Sequence, residues 1–309
     1  MEDGRQFPTS RSFVGTATTL RVLPLMMGLL LLPLGCGILG PRTLLEPSEL
    51  CSDHGNSAIA TFEDPNLERA IRTRLGVGAQ DDLTCGLVSG FRDIGLVDYG
   101  ITSLVGIQNL TSLMHLELGN NSITDISALS ELTSLTQLFL YNNSISDISP
   151  LSGLTRLRWL TLYDNSIIDI SALGGLTRLD ELTLRNNSIS DISALSGLTS
   201  LPSLFLDNNS ITDISPLSGL TGLLGLHLRS NLITDISALR GLTRLRSLGL
   251  SNNPDLADIQ PLLDNPGLGP IETAFCCYPD AVDLSATNVS CTDVAALKAK
   301  GVDVTSDCP

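Results

Sequence analysis

Lysine is almost missing from this 309-residue chain: Lys298 and Lys300 are the only two, and the net charge is −15. A chain so short of cations offers no basic face to a nucleic acid or an anionic lipid surface, so neither is expected as a partner. Histidine is as scarce, with His54, His115 and His227 scattered along the chain. They form no nucleophile-and-base pair, and there is no phosphate-binding glycine loop and no His-Glu-x-x-His. The expectation is a protein that is not an enzyme and uses no cofactor or metal. Tryptophan occurs once and aromatics make up 4% of residues, so wherever they gather is informative.

What the chain has instead is repetition. Asn121, Asn143, Asn165, Asn187, Asn209, Asn231 and Asn253 follow one another at a spacing of 22 residues. A fixed period of this size is the mark of a solenoid, in which each unit is too small to bury its own apolar residues and stacks on its neighbours. The first full unit carries Leu110, Leu113, Leu116, Leu118, Ile123, Ile126 and Leu129. Leu116 and Leu118 alternate with polar residues as a strand does. Further on, Ser149-Pro150-Leu151 and Ser215-Pro216-Leu217 read as a serine cap and a proline opening a short helical turn. The asparagine falls where the strand turns away, so its amide can satisfy backbone groups there. Stacked asparagines then form a buried ladder, in which an alanine costs about 1–3 kcal/mol. The Asn-Asn-Ser triplets also fit a glycosylation pattern, but the ladder explains the column better.

These residues resemble the leucine-rich-repeat family, with the pattern L-x-x-L-x-x-L-x-L-x-x-N-x-I-x-x-I-x-x-L. The recurrent Thr/Ser-Asp-Ile-Ser-Pro/Ala-Leu-Ser-Gly-Leu-Thr wording and the 22-residue length are most similar to bacterial internalin-type repeats. The resemblance covers about half of the chain. It implies an α/β solenoid, a curved horseshoe with a parallel sheet on the concave side and short 3₁₀ turns on the convex side. Counting back one period puts Phe91, Ile94, Leu96, Ile101, Leu104 and Ile107 on the core columns, with Tyr99 in the asparagine position. This degenerate repeat and the seven full ones predict eight strands, a sheet roughly 35–40 Å long at ~4.8 Å per strand.

The ends of a solenoid expose core and need covers. Residues 61–109 are expected to hold a helical cap and the degenerate repeat. Asp64 caps a helix that Pro65 opens and Gly76 ends, and Phe62-Glu-Asp-Pro-Asn-Leu-Glu68 is similar to the N-terminal cap of internalin-like proteins. Residues 110–264 form the repeats, and 265–309 a second cap closed by a helix over Asp293–Gly301. No cysteine falls in the repeats. Cys51 and Cys85 bracket the first cap, while Cys276, Cys277, Cys291 and Cys308 lie in the second. The even number of cap cysteines favours disulfides, one in front and two behind. Adjacent cysteines rarely bond to each other, so Cys276 and Cys277 are expected to partner Cys291 and Cys308 in either order. A zinc site is the rival reading, but these four thiols are not arranged as separated Cys-x-x-Cys pairs.

Residues 22–40 carry no charge and follow Arg5, Arg11 and Arg21, as in a secretory signal. The run contains Leu34-Gly35-Cys36, which resembles a bacterial lipobox, although Pro33 stands where leucine is usual. That resemblance implies a signal over 1–36, lipidation of Cys36, and a bacterial cell-envelope location. A retained membrane anchor and plain secretion are the alternatives. Residues 37–60 read as a tether or partly ordered lead-in.

In such a solenoid the concave face is built by residues flanking the strand leucines. Every aromatic of the seven repeats, Phe139, Tyr141, Trp159, Tyr163 and Phe205, falls in that set and none in the core. Clustered aromatics are typical of binding hot spots, although they also pack on one another across strands. Arg185 and Arg229 are expected to form a polar rim that meets carboxylates. A second column, Asp125, Asp147, Asp169, Asp191, Asp213, Asp235 and Asp258, suits capping of the convex turns better than calcium, because one carboxylate per rung supplies too few ligands. Together these readings point to a monomeric recognition protein that binds a protein, or a glycan, on its concave face. The alternatives are a structural envelope protein with no discrete ligand and an intracellular scaffold like the 22-residue-repeat phosphatase regulators.

Overall fold

A computed structural model describes residues 43–269 and 281–308. The segment 22–40 with Cys36, and both Cys276 and Cys277, lie outside the described residues.

Each rung opens with a strand of only three residues, because a single leucine sits between two outward-facing neighbours. The strands are β1 (Asp93–Gly95), β2 (His115–Glu117), β3 (Gln137–Phe139), β4 (Trp159–Thr161), β5 (Glu181–Thr183), β6 (Ser203–Phe205), β7 (Gly225–His227) and β8 (Ser247–Gly249). All pair in parallel and in sequence order, with positions one period apart in register, such as Leu116 against Leu138. The leucines and isoleucines on the inward columns of the repeats are at most 2% exposed, whereas Ile168, Leu224 and Leu232, which lie off those columns, face solvent. Removing one large side chain from so close a stack costs about 2–5 kcal/mol.

The backbone leaves each strand through one residue in the left-handed region: Asp98, Asn120, Asn142, Asp164, Asn186, Asn208, Ser230 and Asn252 all have positive φ. Asparagine and aspartate tolerate this conformation better than other side chains. The asparagine that follows then bonds two rungs together. Asn143 Nδ2 donates to the carbonyls of Leu140 and Tyr141 in its own rung and of Leu118 in the rung before. Its Oδ1 accepts the Ile123 N–H, also of the rung before, at 3.0 Å. The column is half-buried at Asn121 and fully buried at Asn231 and Asn253.

On the convex side the chain makes five-residue 3₁₀ turns such as Ser149–Gly153 and Ser215–Gly219, each with proline near its start. The cap differs from the serine read in the sequence. Ser149 is already the first residue of its turn, and Asp147 Oδ1 accepts the Ser149 N–H at 2.8 Å. The same bond recurs along the column from Asp125 to Asp258. A carboxylate two residues upstream reaches that N–H, whereas the serine hydroxyl lies inside the turn.

Among the described residues the sheet has ten strands rather than eight. After helix α3 (Gln260–Leu263), the C-terminal cap adds β9 (Ala281–Asp283) and β10 (Asp303–Thr305), so it continues the sheet as well as covering it. Val282 pairs with Leu248 and Leu284 is buried, which preserves two core columns although the asparagine is lost. Helix α4 (Cys291–Ala299) is capped by Ser290.

Cys291 and Cys308 bond to each other, with Cα atoms 5.4 Å apart. This corrects the expectation that each would partner one of the adjacent cysteines: the chain beyond β10 returns to the first turn of α4. In front, helix α1 (Pro65–Leu75) starts at Asp64 and ends at left-handed Gly76, ahead of a short helix α2 (Cys85–Val88). Cys51 bonds to Cys85. Residues 43–60 pack into this cap. Leu45 and Ala58 are buried, and Gln108 donates to the Pro47 carbonyl. Among the described residues no helix is long and apolar enough to cross a membrane.

Candidate binding face

The outward residues form three rows along the concave side. Trp159 lies in the first, Phe139 in the second, and Tyr141 and Tyr163 in the third. Phe139 pairs with Thr161, which places it diagonally beside Trp159 on the neighbouring strand. The rings of Tyr141 and Tyr163 are stacked, 5.0 Å apart and 10° from parallel. Tyr141 lies over Gly119 and donates from its hydroxyl to Glu117 at 3.2 Å. Burial raises both phenol pKa values, and the Glu117 carboxylate raises that of Tyr141 further. Both hydroxyls therefore stay protonated near neutrality. Phe139 meets the His115 ring edge-on at 5.4 Å, and His115 Nδ1 stands 2.8 Å from Asp93. The Arg158 guanidinium lies over the half-buried Trp159 ring at 5.3 Å.

Phe205 does not join this patch. It is 9% exposed, with the Arg185 guanidinium over its ring at 4.4 Å and the His227 ring at 4.8 Å. Arg185 and Arg229 do not form a free rim either. Arg185 Nε is 2.7 Å from Asp207, a charge contact whose N–H is poorly aimed for a hydrogen bond. Arg229 Nε donates to Asp283 at 3.1 Å. The carboxylates these arginines meet belong to the chain itself. Burial, reinforced by Arg229 and Arg185 against the opposing pull of Asp207 and Asp283, lowers the His227 pKa. That ring is neutral at physiological pH.

Gly119 was missed in the sequence. A Cβ there would meet the Tyr141 ring at 2.2 Å, so only glycine leaves the ring its place. The signal lay in the column, where every later repeat, from Tyr141 through Ser251, carries a side chain at this position. The acidic column brings no three potential ligands together, and no metal-binding group occurs among the described residues.

This is a leucine-rich-repeat solenoid with one aromatic patch on its concave face. The family described as Leucine Rich repeats (2 copies) matches residues 111–153, 155–197 and 177–219, and that described as Leucine rich repeat matches 203–254. Among solved structures, internalin C2 of Listeria monocytogenes strain 4b F2365 is 34% identical with a TM-score of 0.63, over 74% of this chain and 92% of that one. The chain belongs to the internalin-like leucine-rich-repeat family. The functional domain of InlJ from Listeria monocytogenes is 23% identical (TM-score 0.59, covering 79% of this chain and 55% of that one). A leucine-rich-repeat protein of Leptospira interrogans is 20% identical (TM-score 0.57, covering 72% and 67%). These two share the fold. No curated protein sequence matches the chain.

Proposed function

We infer that the chain is a non-catalytic recognition protein of the bacterial cell envelope, binding another protein through the concave face of its repeats. A leucine-rich-repeat domain is a protein-interaction scaffold, and the finer reading rests on one observation. Phe139, Tyr141, Trp159 and Tyr163 are only half-buried and stand on adjacent rungs, while the aromatic outside this group is covered by its neighbours. Stacked tyrosines on the same two rungs as an indole and a phenylalanine give a large, pre-ordered apolar area with polar tips, the composition of interface hot spots. The uncharged run before Cys36 supports export and attachment through an N-terminal lipid or anchor.

The test is affinity capture from envelope and whole-cell extracts with the oxidised full chain. It runs beside a variant carrying serine at Phe139, Tyr141, Trp159 and Tyr163. A partner held by the first and lost by the second, both folded by circular dichroism, supports the reading. Identical captures, or none, refute it in favour of a structural envelope protein.

A further inference from the structure

The repeats contain eight cations, all arginines, and none precedes Arg156. Five are engaged. Arg158 pairs with Asp180, Arg185 with Asp207, Arg229 with Asp283 and Arg240 with Asp264, while Arg246 donates to the Leu245 and Gly267 carbonyls. Of the other three, Arg156 and Arg178 occupy the same position in successive repeats, in the turns that lead into β4 and β5. Both are exposed, and neither side chain has an ion-pair or hydrogen-bond partner among the described residues. Arg244 lies three rungs further along.

Their place on the molecule gives them meaning. The turn of Arg156 runs through buried Leu157 and Arg158 directly into Trp159, so the pair stands on the lip of the solenoid beside the aromatic patch. One rung apart, the two backbones are separated by ~4.8 Å. Two long flexible arms from such a base span the roughly 7 Å between side chains at alternate positions of an extended peptide. Arg158 cannot serve in the same way, because its guanidinium is held between Trp159 and Asp180.

We propose that Arg156 and Arg178 form an acid-binding lip to the aromatic patch, and that the partner is a protein segment presenting two carboxylates beside an apolar side chain. This rests on the concave-face reading above and adds to it the partner's charge. Charge complementarity selects the class. The lip holds two cations without a partner among the described residues, in a chain of net charge −15, enough to favour a pair of carboxylates. A densely charged polyanion would gain little from it and be repelled by the rest of the surface.

The experiment measures fluorescence anisotropy of a labelled peptide in which glutamates alternate with serines around one phenylalanine, and of its glutamine counterpart. Each is titrated with the oxidised full chain. Trp159, the single tryptophan, reports contact at the patch through its own emission. The glutamate peptide is expected to bind about tenfold more tightly than the glutamine peptide, and Arg156→Ser with Arg178→Ser to abolish the difference. Raising salt should do the same. Equal binding of the two peptides, no binding of either, or displacement of the glutamate peptide by an oligouronate at lower concentration overturns the proposal. Unchanged binding by the arginine variant strikes this inference alone. Unchanged binding by the four-serine aromatic variant strikes the concave-face reading and this one with it.

Discussion

The ring of Tyr141 lies flat over Gly119, one rung earlier, in the space where any other residue would place its Cβ. The contact fixes the tyrosine against the sheet and hands its other face to Tyr163. Gly119→Ala should swing Tyr141 outward and break both the stack and the bond to Glu117. Because only a side-chain tip moves, the expected stability loss is below about 1 kcal/mol. Near-ultraviolet circular dichroism should lose tyrosine signal while the far-ultraviolet spectrum and melting temperature hold. A full retention of the near-ultraviolet bands would show that the stack does not depend on the glycine.

Asn187 donates to the Leu162, Leu184 and Arg185 carbonyls and accepts the Ile167 N–H. Asn187→Ala leaves these groups unpaired in the middle of the solenoid and should cost about 1–3 kcal/mol in urea unfolding. Asn187→Asp, which lacks the donor and puts charge among carbonyls, should cost at least as much. A loss below a few tenths of a kcal/mol would mean that water replaces the amide.

Asp64 joins α1 to the first rung. Its Oδ1 accepts the Asn66 and Leu67 N–H groups, and its Oδ2 those of Thr102 and Ser103 as well as the Thr102 hydroxyl. Burial pushes this carboxyl up, but the hydrogen bonds outweigh it and hold the pKa below the ordinary 3.8. The ionised form is therefore favoured in the folded state, so the contribution is complete above that pH and lost as pH falls below it. Asp64→Ala should cost about 2–3 kcal/mol at neutral pH. The variant should also lose less stability than the wild type between pH 5 and pH 3, read from thermal melts.

Ala286 has φ of 53°, the left-handed conformation that asparagine or aspartate holds in most repeats, and its N–H bonds to Asp307. An alanine has no side-chain bond to offset that cost. Ala286→Asn should stabilise the chain by about 0.5–1 kcal/mol, with a matching rise in the denaturation midpoint. A destabilised variant would place the alanine's methyl in a contact more valuable than the backbone relief.

The parts legible in the sequence are those the period repeats. Leu116 and its successors, the asparagine column, and the Asp64, Pro65 and Gly76 boundaries of α1 each carry a local chemical reason that needs no knowledge of the fold. Strands β9 and β10 were not legible, because Val282 and Leu284 keep two columns while the asparagine and the Leu-x-x-Leu lead are gone. The pairing of Cys291 with Cys308 depends on how the chain turns after β10, which spacing alone does not specify. Of the aromatic patch the concave-face column of each ring was legible and its exposure was not, so Phe205 was wrongly grouped with the patch: the adjoining arginine and histidine cover it. The engagement of Arg185 could have been found in the columns: Asp207 follows it by one period, as Asp180 follows Arg158. Both are neighbours across rungs rather than along the chain.

Every ladder asparagine fastens the rung that comes before it, through the carbonyl and the N–H it reaches backward. As the chain emerges from its amino end, a rung is secured only once the next has been made. The growing molecule therefore always carries one provisional turn at its tip. After Asn253 the 22-residue ladder stops, and the last turn is closed by the Asn288 N–H on the Leu256 carbonyl and by Lys300, whose ammonium gathers the carbonyls of Leu262, Leu263 and Asn265. Until that final segment is delivered the coil has a beginning but no knot, and a chain truncated before residue 281 should be open to proteases from its far end inward.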